Sequence, residues 1–304
     1  MKKTLFLIVV AAAFCACNKV AIEQDTPQTP VEDRTPINIG FDVMTKVSDT
    51  SFDHGDQVGV YVVKEDDWFD NDNHYNNNCL TYDYYSGSWS QSETMYWYDK
   101  HTRATFYCYY PYNYDVWDVN NHVFEVVADQ SSESNYKASD FVWGKEEYVS
   151  PTSNTVNIST KHIMSNVEIV LRPGKGFTED SFANTSKEVS ICNVRYQAYI
   201  DLENGNVNSD EFYYNRTEIR TLKVENDTYY HNYRYRAVIV PQYADYGELI
   251  KVTIDGDNYI LKGSYNFESG RKHTVTVTVN KTGNGVNVGV GDWEDGDDFF
   301  GDAE

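Results

Sequence analysis

Ile37-Asn38-Ile39-Gly40-Phe41-Asp42-Val43 sets apolar side chains against polar or small ones at every second position. A period of two puts successive side chains on opposite faces, so this stretch reads as a β-strand with one apolar face. The same grammar recurs along the chain. Val58, Val60 and Val62 alternate after the turn residues Asp53–Asp56, and Thr105–Tyr110 is aromatic and closed by Pro111. Val167–Leu171 is an apolar run ended by Pro173-Gly174, and Ala237–Val240 precedes Pro241. Ile250, Val252 and Ile254 alternate and stop at Asp255-Gly256, a hairpin signal. Val275, Val277 and Val279 alternate, as do Val286, Val288 and Val290.

No stretch carries a clear 3.6-residue repeat. Thr178–Val189 is read as at most one helical turn, broken at Asn184-Thr185-Ser186. Short strands at regular spacing, punctuated by turn residues, predict an all-β chain of β-sandwich domains. Aromatic residues support this: 26 Tyr, 14 Phe and 6 Trp are types that suit pleated sheets.

The chain has 304 residues, enough for two ordinary domains. It carries 25 Lys+Arg against 47 Asp+Glu, a net charge of −22. Nucleic-acid partners call for the opposite sign, and anionic lipid repels such a surface. Any membrane attachment therefore has to come from another source.

The first residues supply one. Met1–Lys3 is basic, Thr4–Phe14 is apolar, and Cys15-Ala16-Cys17-Asn18 follows. This is the layout of a secretory signal. The cysteine makes it a lipoprotein signal over residues 1–17, with Ala16 as the small residue before an acylated Cys17. Cys15 is the poorer choice because bulky Phe14 precedes it. The apolar run is shorter than the roughly 20 residues that span a bilayer. Residues 18–35 are polar, hold Pro27 and Pro30, and read as a flexible tether reaching about 25 Å.

Of five cysteines, Cys79, Cys108 and Cys192 remain in the body, too few for a disulfide framework. Cys79 and Cys108 are left open, either as a pair or as buried thiols. No Cys or His spacing suggests a metal, and no cofactor is implied. The Asp/Asn-rich stretch Asp66–Asn78 lacks the Gly and Glu that an EF-hand needs, and reads as a surface loop. Motifs for zinc proteases, serine hydrolases and nucleotide binding are missing. His162, beside Ile163-Met164, reads as a satisfied structural histidine. The reading is not an enzyme. The last residues, Trp293–Glu304, hold six acids and no base and read as a solvated tail.

Several segments together resemble the fimbrillin family, the lipoprotein pilins of type V pili in Bacteroidales. They are Asp56-Gln57-Val58-Gly59-Val60-Tyr61, then Met95-Tyr96-Trp97, then Ala104-Thr105-Phe106-Tyr107-Cys108-Tyr109-Tyr110-Pro111-Tyr112. Asp140-Phe141-Val142-Trp143-Gly144 resembles the end of the family's first domain, and Lys161-His162-Ile163-Met164-Ser165-Asn166-Val167 the opening of its second. Ile239-Val240-Pro241-Gln242 and Trp293 also fit, so the resemblance covers Pro36 to Trp293.

The resemblance implies two tandem transthyretin-like β-sandwich domains, drawn here at 36–155 and 156–293, with an acidic tail at 294–304. It implies a subunit of a surface pilus, lipid-anchored to the outer membrane and active in adhesion to a host or bacterial surface ligand. In the family a surface protease removes the first strand, and a strand of a neighbouring subunit fills the groove. The physics is β-strand addition: the groove presents unpaired backbone and an apolar slot. Here the displaceable strand would be Ile37, Ile39, Phe41 and Val43. The family's arginine at the cleavage site is replaced by Lys46, which stands either as a maturation site or as a solvated strand-end residue. Cutting at Arg34, upstream of the strand, would leave the groove closed.

Val286, Val288 and Val290 form the candidate C-terminal strand. Gly283, Gly285, Gly289 and Gly291 make it a poor donor. Val286–Trp293 is therefore expected on its own second domain, and the chain reads as a tip or accessory subunit rather than a stem. The alternative is a surface glycan-binding lipoprotein, with Trp68, Trp89, Trp97, Trp117 and Trp143 either as sugar platforms or as packing residues.

Overall fold

Alternating stretches become strands wherever a core meets their apolar face. The computed structural model describes residues 34–43, 52–70, 72–224, 233–281 and 289–290, with backbone alone at 42, 43, 289 and 290. In chain order the first part gives β1 (Asn38–Val43), β2 (Gln57–Lys64), β3 (Tyr75–Asp83), β4 (Ser88–Gln91), β5 (Ala104–Tyr110), β6 (His122–Glu125), α1 (Glu133–Ala138), β7 (Val142–Val149) and β8 (Thr155–His162). The second part gives β9 (Ser165–Pro173), α2 (Glu179–Ala183), β10 (Lys187–Arg195), β11 (Gln197–Asp201), β12 (Asn206–Asn208), β13 (Arg216–Arg220), β14 (Leu222–Lys223), β15 (Tyr233–Ile239), β16 (Gln242–Ile254), β17 (Asp257–Phe267), β18 (Lys272–Val279) and β19 (Gly289–Val290). The fold is all-β, with two short α-helices and a three-residue 3-10 helix at Asp210–Phe212 among the described residues. α2 is the single turn expected near Thr178, whose side chain caps it. α1, capped by Ser132, has no apolar period in the sequence to announce it.

The N-terminal half is one seven-stranded sheet, ordered β1-β8-β7-β5-β2-β3-β4. Its two edges meet. Ile37 donates its backbone N–H to Met95 O at 2.9 Å, Trp97 N–H donates to Thr35 O at 3.0 Å, and Gln91 Nε2 donates to Ile37 O at 2.6 Å. The sheet thereby rolls around an inner core that includes Ile37, Val58, Val60, Val62, Leu80, Trp97 and Phe106. The boundary drawn at 155/156 falls one residue into β8, which is a strand of this first sheet. That strand pairs with β7 and, in parallel, with β1, because Val156 and Ile158 alternate into the same core.

The C-terminal half stacks a four-stranded sheet, β13-β10-β16-β17, on a five-stranded one, β14-β15-β9-β18-β19. Val167, Ile169 and Leu171 of β9 meet Val189 and Ile191 of β10 in one core. β16 and β17 turn at Asp255-Gly256, both at positive φ (51° and 94°), as the hairpin signal requires.

The segment between β5 and β7 clasps the two halves together. β6 leaves the first sheet and pairs with β11, making a third, three-stranded sheet with β12. Tyr61, Tyr109, Phe141 and Trp143, on the outer face of the first sheet, belong to the same core as the C-terminal sandwich. Trp143 donates Nε1–H to Leu202 O at 2.8 Å. Gly205, at φ 70°, lies so close that a Cβ there would stand 2.6 Å from the Trp143 ring.

Candidate functional site

β1 pairs along its length with β8 only, in parallel register from Asn38↔Thr155 to Val43↔Thr160. No strand pairs with its other edge among the described residues. Ile37 is 1% exposed and Ile39 is buried as well. Phe41 is half-buried in a ring cluster at the end of the roll. It stands edge-on to Trp89 at 4.7 Å, with Phe52 4.9 Å from Trp89 and 5.7 Å from Tyr110. Each buried apolar side chain of this kind contributes about 1.5–3 kcal/mol. A strand at the edge, paired with β8 and buried through Ile37 and Ile39, seals a slot lined by Trp97, Phe106, Val156 and Ile158.

Asp56 sits beside this ring cluster. Burial raises its carboxyl above the usual range, and Tyr110 donates to it at 3.4 Å. Tyr110 itself is pushed well above the usual phenol value, first by burial and then by Asp56.

Arg34 is half-exposed, four residues before β1. Cys17 and Lys46 lie outside the described residues, as do Val286, Val288, Trp293 and the side chains of Val43 and Val290. The β19 backbone at Gly289–Val290 pairs antiparallel with β18, at Thr278 and Val277.

The tryptophans divide. Trp97 and Trp143 are buried, Trp89 packs on the inner core, and Trp68 and Trp117 are exposed. Among the described residues Cys79, Cys108 and Cys192 are free thiols. Cys79 neighbours inward-facing Leu80 on β3 and so faces away from the inner core, whereas Cys108 lies in that core. The two flank β2 on opposite faces of the sheet and cannot bond. The loop before β3 is organised by its own amides: Asn73 N–H and Nδ2 both donate to Asn76 Oδ1, at 3.2 and 2.8 Å. No group of three His, Cys, Asp or Glu residues among the described residues is placed to hold a metal, and no helix there is long and apolar enough to cross a membrane.

The sequence reading missed the clasp, and it missed an exposed tyrosine surface. Tyr213, Tyr214, Tyr243 and Tyr246 are all exposed in the C-terminal half. The doublet Tyr213-Tyr214 and the spacing of Tyr243 and Tyr246 are the sequence signals that mark them.

A sequence profile described as fimbrillin-like matches residues 45–293. A Bacteroides uniformis protein carrying the name fimbrium subunit is 23% identical over 285 residues, covering 90% of this chain and 89% of its own. A crystal structure from Bacteroides uniformis, described as a cell adhesion protein, superposes with a TM-score of 0.61 at 21% identity, over 88% of this chain and 100% of the other. A second so described, from Bacteroides ovatus, gives 0.65 at 15% identity, over 85% and 96%.

Proposed function

The chain belongs to the fimbrillin-like family, and from that premise we propose that it is a surface fimbrial subunit assembled by strand exchange. The observation that carries this reading is the seating of β1. It is an edge strand, paired on one side only, and its apolar side chains close a slot. A cut after Lys46 would release the strand together with Ile37, Ile39 and Phe41. The slot and the β8 edge would then receive an alternating strand from another subunit. Lipidation at Cys17 would hold the precursor at the outer membrane until that cut.

A tip or accessory role fits better than a stem. Gly289–Val290 pairs with its own β18, which supports a C-terminal segment retained by its own half rather than donated. The chain would then accept a strand and give none, with a host or bacterial surface as its adhesion target.

The test is digestion of the purified precursor with a lysine-specific protease. New detergent-resistant ladders, absent from a Lys46→Gln variant, are expected when a donor subunit is present. Clean removal of residues up to Lys46 with no ladder and no bound partner would overturn strand exchange.

A further inference from the structure

Four tyrosines of the C-terminal half are exposed: Tyr213 and Tyr214 just before β13, and Tyr243 and Tyr246 on either side of Asp245 in β16. Tyr214, 91% exposed, stands at 90° to Tyr213, with ring centroids 5.2 Å apart. Across from them β16 is bulged, its register shifting between Ala244 and Gly247. Ala244 points into the core, and the bulge leaves Tyr243, Asp245 and Tyr246 outward. Single exposed apolar residues need no explanation, but a clustered set of aromatic rings does.

An ordered polar system ties Asp245 of β16 to Tyr213 and Arg216. Asp245 Oδ2 accepts from Arg216 NH2 at 2.9 Å and from the Tyr213 hydroxyl at 3.2 Å. The Arg216 guanidinium lies over the Tyr213 ring at 4.5 Å, and its NH1 donates to Asn193 O at 3.2 Å. Behind it Arg195, 4% exposed, reaches Asp210 at 3.1 Å while its buried Nε has no partner. Arg216 and Tyr213, with a smaller contribution from Arg195, hold the Asp245 carboxyl below its usual range, so it stays an acceptor through mildly acid pH.

We propose that this surface binds a neutral saccharide, with the tyrosine rings as stacking platforms and the Arg216–Asp245 pair as the hydroxyl-reading groups. Ring faces match the C–H faces of a pyranose, and fixed planar donors and acceptors match its hydroxyls. The two ion pairs cancel locally, exposed Glu211 adds a negative charge, and the chain's net charge of −22 repels an anionic polymer. Strand addition does not suit this place. β16 is already paired with β17, at Tyr243↔Asn266 and Ala244↔Tyr265, and the Gln242 side chain ties it to Arg195 N and O at 2.8 and 3.0 Å. The site is thus separate from the β1 slot and independent of cleavage.

The test is affinity electrophoresis of the uncleaved full chain in gels containing mannan, β-glucan, galactan or starch, with polygalacturonate and heparin as anionic controls. At least one neutral polymer is expected to retard the chain. Tyr214→Ala and Tyr246→Ala should each weaken retardation about threefold to tenfold while leaving the thermal midpoint unchanged. Tyr214→Phe should retain it. No retardation by any neutral polymer, equal retardation of the alanine variants, or preference for the anionic polymers overturns the proposal. So does a change from dimer to monomer in the variants by sedimentation, which would make the surface a contact between copies of the chain.

Discussion

The side-chain amide of Gln130 pairs with the backbone of Val238 as a strand would: Val238 N–H donates to Gln130 Oε1 at 2.8 Å, and Gln130 Nε2 donates to Val238 O at 2.7 Å. Gln130 is fully buried, and its own N–H donates to Arg220 O at 2.9 Å. The segment that leaves the first sheet after β5 is thus bonded into the C-terminal sandwich. Gln130→Leu keeps the volume and removes all three bonds of the amide, the two with Val238 and one to Val127 O at 3.0 Å, leaving a buried N–H and C=O of Val238 unpaired. The expected loss is about 2–4 kcal/mol in urea unfolding, with the two halves melting separately where the wild type melts once. An unchanged single transition would show that the clasp contributes nothing.

A second expectation concerns β1. Ile37, immediately before the strand, is 1% exposed, and Phe41 is only half-buried. Ile37→Asp should therefore cost more than about 3 kcal/mol through a buried unpaired charge. Phe41→Asp, whose carboxylate reaches water past Trp89, should cost less. Denaturant midpoints of the two variants give the order, and the reverse order would mean that the strand is anchored from its C-terminal end.

How much of this was legible depends on the range of the contacts. The alternation at Ile37–Val43 and Ile250–Ile254 is local, and both became strands, with Ile37 and Ile39 of the first and Ile250, Val252 and Ile254 of the second buried. Asp255-Gly256 marked its hairpin because the turn demands positive φ. The pairing of β6 with β11 is not local. His122–Glu125 is four residues long, and its partner lies some seventy residues on, beyond what any window on the sequence reports. The outer face of β2 was missed for a related reason. Val58, Val60 and Val62 read as one apolar face, yet Tyr61 and Val63 are buried too, against a half of the chain that alternation alone does not bring near. The parallel pairing of β1 with β8 likewise joins segments more than a hundred residues apart.

The thiols should be inert in the folded protein. Burial pushes the Cys108 thiol far above its usual value and Cys192 up to about 11, and it raises Cys79 as well. Thiolate is the reactive form, so a disulfide-type thiol probe at pH 8 should label none of the three quickly until denaturant is added. Rapid native labelling of Cys108 would mean that the rolled sheet opens readily near β5.

Mild acid should loosen the clasp. His122 is buried against Tyr109 and Phe141, with ring centroids 5.8 and 6.1 Å away, and burial holds its pKa below the ordinary histidine value. A folded-state value below the unfolded one favours the neutral ring in the folded chain. Its contribution is complete above about pH 6.5 and is lost as pH falls through the lowered folded value. Stability should therefore drop below pH 6.5, with a slope from this group of at most about 1.4 kcal/mol per pH unit. His122→Gln should flatten that part of the profile. His74, also lowered by burial, supplies a remaining slope. An identical profile in the variant would assign the effect elsewhere.

The C-terminal segment separates an accepting subunit from a donating one. Val277↔Val290 and Thr278↔Gly289 are its backbone partners on β18, whose Val275, Val277 and Val279 are buried in the C-terminal core. Glycines flank this short strand, and each weakens it as a free, alternating donor. If the segment serves its own half, deleting residues 286–304 should leave the outer edge of β18 uncovered and lower the midpoint of the single unfolding transition. The loss should be about 1.5–3 kcal/mol, the worth of one apolar side chain returned to water. Ladder formation with a donor subunit, after cleavage at Lys46, should persist, because the accepting slot lies in the other half. If instead the truncated chain keeps its midpoint while it can no longer be taken up by an accepting subunit, the segment is a donor strand and the chain is a stem subunit.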